Sequence, residues 1–216
     1  MRVTQAKAKY LVIDTETSGI HAYENGLIQL AALALDNQLE VLEEFNEYVK
    51  PPEDVVFSEE SSLIHGISQE SIDKGLSYRE VCQSFVNFVR ENFENKPILI
   101  GQFFPFDYAF LDAVFGKVAP EFSLFQSVLS RNFIDTKSLA NVFNLKAEMV
   151  GRATVFSETS LSKPGGLKDS LSLNQNDYQS HNALDDCHAT KDALLKMIDL
   201  LDMKKLAPIE RNPYQS

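Results

Sequence analysis

Apolar and polar positions along this chain switch between two periods, and the switches lay out its elements. KYLVID (9–14) is a short apolar run that predicts a strand buried on both faces. LIQLAALALD (27–36) predicts a second strand and LEVLEEFNEYVKP (39–51) a third. The step between them, Asp36-Asn37-Gln38, is short and polar, as a hairpin turn requires. These three strands read as an antiparallel meander. Residues 51–76 mix prolines, serines and glutamates and read as loop, with a short helix near Glu59 to His65. SYREVCQSFVNFVRENF (77–93) carries apolar residues at 81, 85, 88, 89 and 93, which is helical spacing. Ser77 sits at its N-cap position with Glu80 in the capping-box place.

After Pro97 the pattern becomes strand, helix, strand, helix. ILIG (98–101) predicts a fourth strand, and FDYAFLDAVFG (106–116) an amphipathic helix closed by Gly116. NFIDT (132–136) predicts a fifth strand, followed by a helix from TKSLANVFN. Residues 146–180 are rich in Ser, Gly, Lys and Asn, with a turn at Pro164-Gly165-Gly166, and are the least legible stretch. ALDDCHATKDALLKMIDLL (183–201) predicts a strong final helix. The expected architecture is one α/β domain over 1–216, with a core about 9–203 and a tail at 204–216. Its mixed sheet holds five strands, three antiparallel and then two parallel, flanked by helices.

Composition narrows the classes. Of 216 residues, 44% are hydrophobic and 24% charged, as in ordinary globular chains. No apolar run approaches the roughly 18–20 residues of a membrane span, and MRVTQAKAKY has no apolar secretory core, so a cytoplasmic protein with no membrane partner is expected. Cys82 and Cys187 stand in no zinc pattern and read as reduced structural thiols. A net charge of -11 argues against a broad basic surface for long nucleic acid. It leaves room for an enzyme that holds a few nucleotides, because carboxylates that bind cations add formal negative charge.

One feature of the first strand is at odds with its apolar start. Asp14 and Glu16 are two residues apart, so on a strand they project side by side from one face. Ionised carboxylates that close repel each other, and burial makes the repulsion worse. A hard cation such as Mg²⁺ or Mn²⁺ between them relieves it. The plainer reading has Asp14 capping a turn and Glu16 in solvent. Asp107, at a helix start directly after a strand, and Asp186, at the start of the final helix, extend the acidic set.

In these residues the chain resembles the DEDDh family of 3′–5′ exonucleases (DnaQ-like, RNase T-like), of RNase H-like fold. The family's three motifs appear in order as DTETSG (14–19), GQFFPFDYAFL (101–111) and HNALDD (181–186). The accessory stretch HGIS (65–68) and the Asp135-Thr136 pair before a helix are also present. The resemblance implies that Asp14, Glu16, Asp107 and Asp186 hold two divalent ions, Mg²⁺ or Mn²⁺. It implies that His181 is the general base, a task imidazole performs near neutral pH. The implied reaction is two-metal hydrolysis of phosphodiester bonds at the 3′ ends of single-stranded DNA or RNA, or of short oligonucleotides, with release of nucleoside 5′-monophosphates. The alternative is a weak or inactive nucleic-acid-binding or polymerase-partner module on the same fold. Relatives occur as monomers and homodimers, and a polymerase or repair partner is within the family's range.

Geometry bears on the last acid. Five residues of regular helix turn through about 500°, so His181 and Asp186 on one helix would point apart. Asp185 and Asp186 are both candidates for the last ligand: with His181 on the preceding loop and Asn182 as N-cap, Asp185 falls at N3 and serves the helix dipole, and the spacing of the family it resembles favours Asp186 as the ligand. For substrate, backbone N–H groups of Thr17, Ser18 and Gly19, the side chain of His65 and the ring of Phe103 are candidates, while Phe106 reads as core. Lys163 and Lys168 lie within reach of phosphates in principle, although isolated lysines are usually solvated. His21, His188, Asp112 and Asp135 read as surface, core or helix-cap residues. Two departures from the family stand out: Gln102-Phe103 replaces the usual His-Asn before the second aspartate, and Gln29 occupies a second-strand position often held by an acid.

Overall fold

A computed structural model describes residues 7–58, 66–118, 128–174, 178 and 181–201. The first half holds β1 (Tyr10–Thr17), β2 (Leu27–Leu35), β3 (Val41–Lys50), α1 (Gln69–Lys74), β4 (Leu76–Ser77) and α2 (Tyr78–Asn92). The second half holds β5 (Ile98–Gly101), α3 (Pro105–Val118), β6 (Phe133–Asp135), α4 (Thr136–Met149), α5 (Leu167–Ser170) and α6 (Ala183–Leu200). The strands form one six-stranded mixed sheet in the order β4-β3-β2-β1-β5-β6. β1 to β3 pair antiparallel, whereas β5 runs parallel to β1 and β6 parallel to β5.

The strands are long apolar runs because helices cover both faces of the sheet. Every residue of β2 is buried. Leu11 and Ile13 of β1 face one way, into a core shared with Phe85 and Val89 of α2 and Leu111 and Val114 of α3. Val12 faces the other way, packing with Ala31, Leu33 and Ile100 against Ala183, Cys187 and Leu194 of α6. Since alternate residues share a face, Asp14 and Glu16 fall on the α6 side, in the row that Val12 begins. A third cluster, of Phe156, Leu161 and Leu167 against Ala189, Ala193 and Met197, packs residues 156–173 onto the far side of α6.

Local signals placed most ends. Ser77 caps α2 through the full capping box with Glu80. The β2–β3 turn is held by the Asp36 carboxylate, which accepts from the N–H groups of Gln38 and Glu40 at 2.8 and 3.0 Å. Four expectations need correction or fall outside view. The sheet has a sixth strand, β4, whose two residues pair parallel to β3 and are too few to show a period. Gly116 does not close its helix, since α3 runs on to Val118. The short helix expected near Glu59 to His65 and the tail at 204–216 lie outside the described residues.

Gly101, at the end of β5, permits the tight entry into α3. A Cβ there would lie 2.8 Å from Phe104 Cδ2 and 2.9 Å from Phe104 Cβ, and Phe104 is buried. Gly101→Ala is therefore expected to lower the unfolding free energy by about 1–3 kcal/mol. Urea unfolding checks this, as a lower midpoint with an unchanged slope.

Candidate active site

The carboxyl ends of β1 and β5 and the N-terminus of α6 meet at one edge of the sheet, and the acids gather there. Ligand atoms of Glu16, His181 and Asp186 all lie within 4.8 Å of one another. Asp14, two residues back on the same strand face, feels the charges of Asp107, Asp186 and Glu16. Asp107 is buried in the first turn of α3, where Thr15 Oγ1 donates to its Oδ1 at 2.7 Å. Thr15 points to the opposite face of β1 from Asp14 and Glu16, so one strand presents two acids and steadies a third.

His181 reaches the cluster through its backbone. Its φ is +63°, a left-handed conformation that costs a non-glycine residue of order 1–3 kcal/mol. That turn swings the imidazole toward Asp186, which regular helical phase would have prevented. Asn182 then caps α6, its Oδ1 accepting from the N–H groups of Leu184 and Asp185. Asp185 sits at N3 and Asp186 joins the cluster, the division of labour expected from the cap.

Gln29 ties this corner together. It is fully buried, opposite Glu16 in the β1–β2 register. Its Oε1 accepts from the Ala183 N–H at 3.2 Å and its Nε2 donates to Asn46 Oδ1 at 2.8 Å. The Gln29 amide makes both bonds at once, one as acceptor and one as donor. A lone polar side chain inside the apolar run LIQLAALAL was the available signal for such a role.

The electrostatics follow from crowding. Burial, then the carboxylates of Asp186 and Asp107, push Glu16 from its ordinary 4.5 up to about 8. Burial pushes Asp107 up to about 7, against the pull of the Thr15 hydroxyl. Burial and the charges of Asp107, Asp186 and Glu16 push Asp14 well above the ordinary carboxylate range, with Lys168 opposing. A set of mainly hard oxygen donors held this close with one imidazole suits a divalent cation, which would relieve the repulsion among the carboxylates.

Other predicted residues have different fates. Ser18 is fully buried and committed to the loop: its N–H donates to Gly26 O, its hydroxyl donates to Val56 O, and the same hydroxyl accepts from Gly26 N–H. This corrects the expectation that the Ser18 N–H faces a nucleotide. Thr17 Oγ1 donates to Gly19 O at 2.7 Å, and Gly19 packs so tightly on Asn25 that a Cβ would lie 2.4 Å from that side chain. His65 lies outside the described residues. Phe103 is half exposed with φ +59°, and the Lys137 ammonium lies 4.6 Å from its ring centre. Phe106 is only part-buried, against Phe110, and Phe104 fills the core instead.

Gln102, at the family's usual histidine position, is taken up in bracing. Its Oε1 takes a very short bond from Thr136 Oγ1, and its Nε2 donates to Thr159 O. Asp135 caps α4 and also accepts from Phe104 N–H at 2.7 Å. His188 pairs with Glu44 away from the cluster, and His21 is exposed on its loop. Burial pushes Cys82 up to about 12, and Cys187 is raised as well, so both behave as structural thiols. Lys168 is the largest surprise: it is buried and paired with Asp186, where a solvated lysine was expected.

Fold and site together define an α/β domain of RNase H-like fold with a carboxylate–histidine cluster at the strand ends. The exonuclease family of RNase T type matches residues 11–194, and the chain belongs to that family. The PolC-type DNA polymerase III of Thermotoga maritima is 26% identical over 203 residues, covering 94% of this chain and 13% of the polymerase. The corresponding polymerase of Streptococcus pneumoniae is 29% identical over 108 residues, half of this chain. Among solved structures, E. coli exonuclease I in complex with a dA16 oligonucleotide superposes with a TM-score of 0.69 at 22% identity, covering 92% of this chain and 42% of that one. Cell-death related nuclease 4 superposes at 0.68 and 22% identity, covering 91% and 65%. This chain thus spans under half of exonuclease I and about an eighth of the Thermotoga polymerase.

The raised carboxyls set a pH dependence. A folded-state value of about 8 for Glu16, against 4.5 when unfolded, means the fold keeps a proton that the unfolded chain has lost. Stability from this group is therefore full below the unfolded value and is lost as pH rises toward 8. Metal-free Glu16→Gln is expected to gain melting temperature over wild type steadily from pH 5 to pH 8. Calorimetry in EDTA checks this, and a difference that does not change with pH would contradict it.

Proposed function

We propose that this domain is a metal-dependent 3′–5′ exonuclease that hydrolyses phosphodiester bonds at single-stranded 3′ ends, releasing nucleoside 5′-monophosphates. The convergence of Glu16, His181 and Asp186, with Asp14 and Asp107 beside them, carries the reading. Asp14, Glu16, Asp107 and Asp186 would hold two ions, Mg²⁺ or Mn²⁺, since both favour oxygen donors. When bound, such ions offset the carboxylate charge, acidify the attacking water and stabilise charge developing on the phosphoryl group. The protein's own part is to orient these donors and to move a proton. His181, exposed on the turn before α6, accepts the proton of the attacking water.

Substrate contacts follow from the same corner. Backbone N–H groups of Thr17 and Gly19, at and just past the end of β1, are the candidate contacts to the 3′-terminal nucleotide, and Ser18 holds the loop through Gly26 and Val56. His65 joins them through its resemblance to a nucleotide-contacting family residue. Phe103 offers a stacking face with the Lys137 ammonium alongside, a pairing of ring and cation suited to a base and its phosphate. Such a platform tolerates any base, and DNA and RNA ends both fit it. We read the chain as one exonuclease domain acting in the cytoplasm, as monomer or homodimer. A polymerase or repair partner is the natural context, because PolC-type polymerases contain the related segment. No helix among the described residues is long and apolar enough to cross a membrane.

Two experiments test this. With 3′-labelled single-stranded DNA and RNA, release of mononucleotides is expected with Mg²⁺ or Mn²⁺ and none with EDTA. His181→Ala should lower release by about 10²- to 10⁴-fold. Oligonucleotide binding without release by the wild type would instead favour a binding module. In fluorescence anisotropy, Phe103→Ala should weaken binding of short single strands by about one to two orders of magnitude. Lys137→Ala should flatten the slope of log affinity against log salt by about 0.7.

A further inference from the structure

Residues 157–173 fold beneath α6 and deliver one cation to the acidic cluster. Lys168, on the single turn α5, is only 5% exposed, and its Nζ lies 2.8 Å from Asp186 Oδ1. The same ammonium lies 5.6 Å from the ring centre of Tyr178. A lysine this buried needs a charged partner, and Asp186 is the partner it has.

The backbone around Lys168 is held firmly enough to aim it. Its neighbour Leu167 is fully buried against Ala189 and Ala193 of α6, the helix that carries Asp186. The N–H groups of Leu167 and Lys168 donate to Ser160 O and Leu161 O at 2.8 and 3.1 Å. Gly166 packs so close that a Cβ would sit 2.4 Å from Ser160 O. The Asp169 carboxylate accepts from Gly165 N–H at 2.7 Å, closing the turn that precedes α5. A side chain that only filled space here would need no ammonium.

We propose that Lys168 is a positioning residue for Asp186, holding one carboxylate oxygen so that the other is presented to a divalent ion. The proposal rests on the metal-dependent exonuclease reading. A carboxylate ligand is normally fixed by a hydrogen bond to its second oxygen, and losing that partner typically costs 10- to 100-fold in metal affinity or activity. Lys168 also places its ammonium beside Asp186, inside the ring of acids that Glu16, Asp14 and Asp107 complete. Lys168 acts through Asp186, the side chain its ammonium contacts.

The test measures Mn²⁺ affinity of the full chain by electron paramagnetic resonance, with circular dichroism to confirm folding. Lys168→Met is expected to weaken Mn²⁺ binding by about 10- to 100-fold. Lys168→Arg should recover part of the loss, and raising Mn²⁺ should restore much of the kcat of Lys168→Met. In an Asp186→Asn background, adding Lys168→Met should change Mn²⁺ affinity little, because the carboxylate it positions is gone. If Lys168→Met does not fold, Lys168→Gln carries the test with the same expected loss. A folded variant that binds Mn²⁺ as tightly as wild type overturns the proposal while leaving the exonuclease reading intact. A wild type that binds no Mn²⁺ and releases no nucleotide overturns both, and so distinguishes the two failures.

Discussion

Carboxylates crowded at the end of a buried strand are the constraint on which the rest of this structure turns. Asp14 and Glu16 extend the row that the apolar residue Val12 begins, and Asp107 and Asp186 are brought to them from two different helices. Desolvation and repulsion from neighbouring acids both oppose this, and they push the carboxyls of Asp14, Glu16 and Asp107 above the ordinary range. Such an arrangement persists only where the surrounding scaffold leaves the side chains nowhere else to go. Its release lies in a positive charge, and Lys168 supplies one fixed part of it.

The scaffold meets that demand with ordinary devices. β1 lies in the interior of the sheet, with β5 alongside Tyr10–Val12 and β2 alongside its whole length, so the end that carries the acids stays paired to β2. Thr15 uses the reverse side of the same strand to hold Asp107. Gln29 links β2, β3 and the first N–H of α6, which sets where the final helix begins. The left-handed turn at His181 and the Asn182 cap then determine what that helix presents. Gln102 takes no part in the cluster; it fastens the second-motif loop to Thr136 and Thr159, and Phe103 is displayed as a consequence. In this chain the Gln102-Phe103 pair thus combines a bracing amide with an aromatic face in the open.

Most of the scaffold was legible because its signals are local. The capping box at Ser77, the polar hairpin step at Asp36 and the apolar strand ILIG each depend on a few neighbouring residues. The split between Asp185 and Asp186 was legible for the same reason, since a cap fixes helical phase. What was not legible depends on distant partners. β4 is two residues long and exists only through its pairing with β3. The burial of Lys168 follows from the packing of Leu167 on α6 and from turns at Gly165 and Gly166, and no periodicity announces it. The commitment of Ser18 to Gly26 and Val56 depends on how the β1–β2 loop meets the segment after β3. Phe104 and Phe106 differ by two residues in an aromatic-rich stretch, and only the entry angle of α3 decides which one is buried.

Burial and mutual repulsion raise these carboxyls, so binding a divalent ion is expected to expel protons. Isothermal titration calorimetry of Mn²⁺ binding at pH 7, repeated in buffers of different ionisation enthalpy, counts protons released per ion. With Glu16 at about 8 and Asp107 at about 7, the account predicts release of roughly one proton or more on filling the site. Binding with no proton release would contradict it, because the carboxylates would then already be ionised and the crowding that organises the site would be absent.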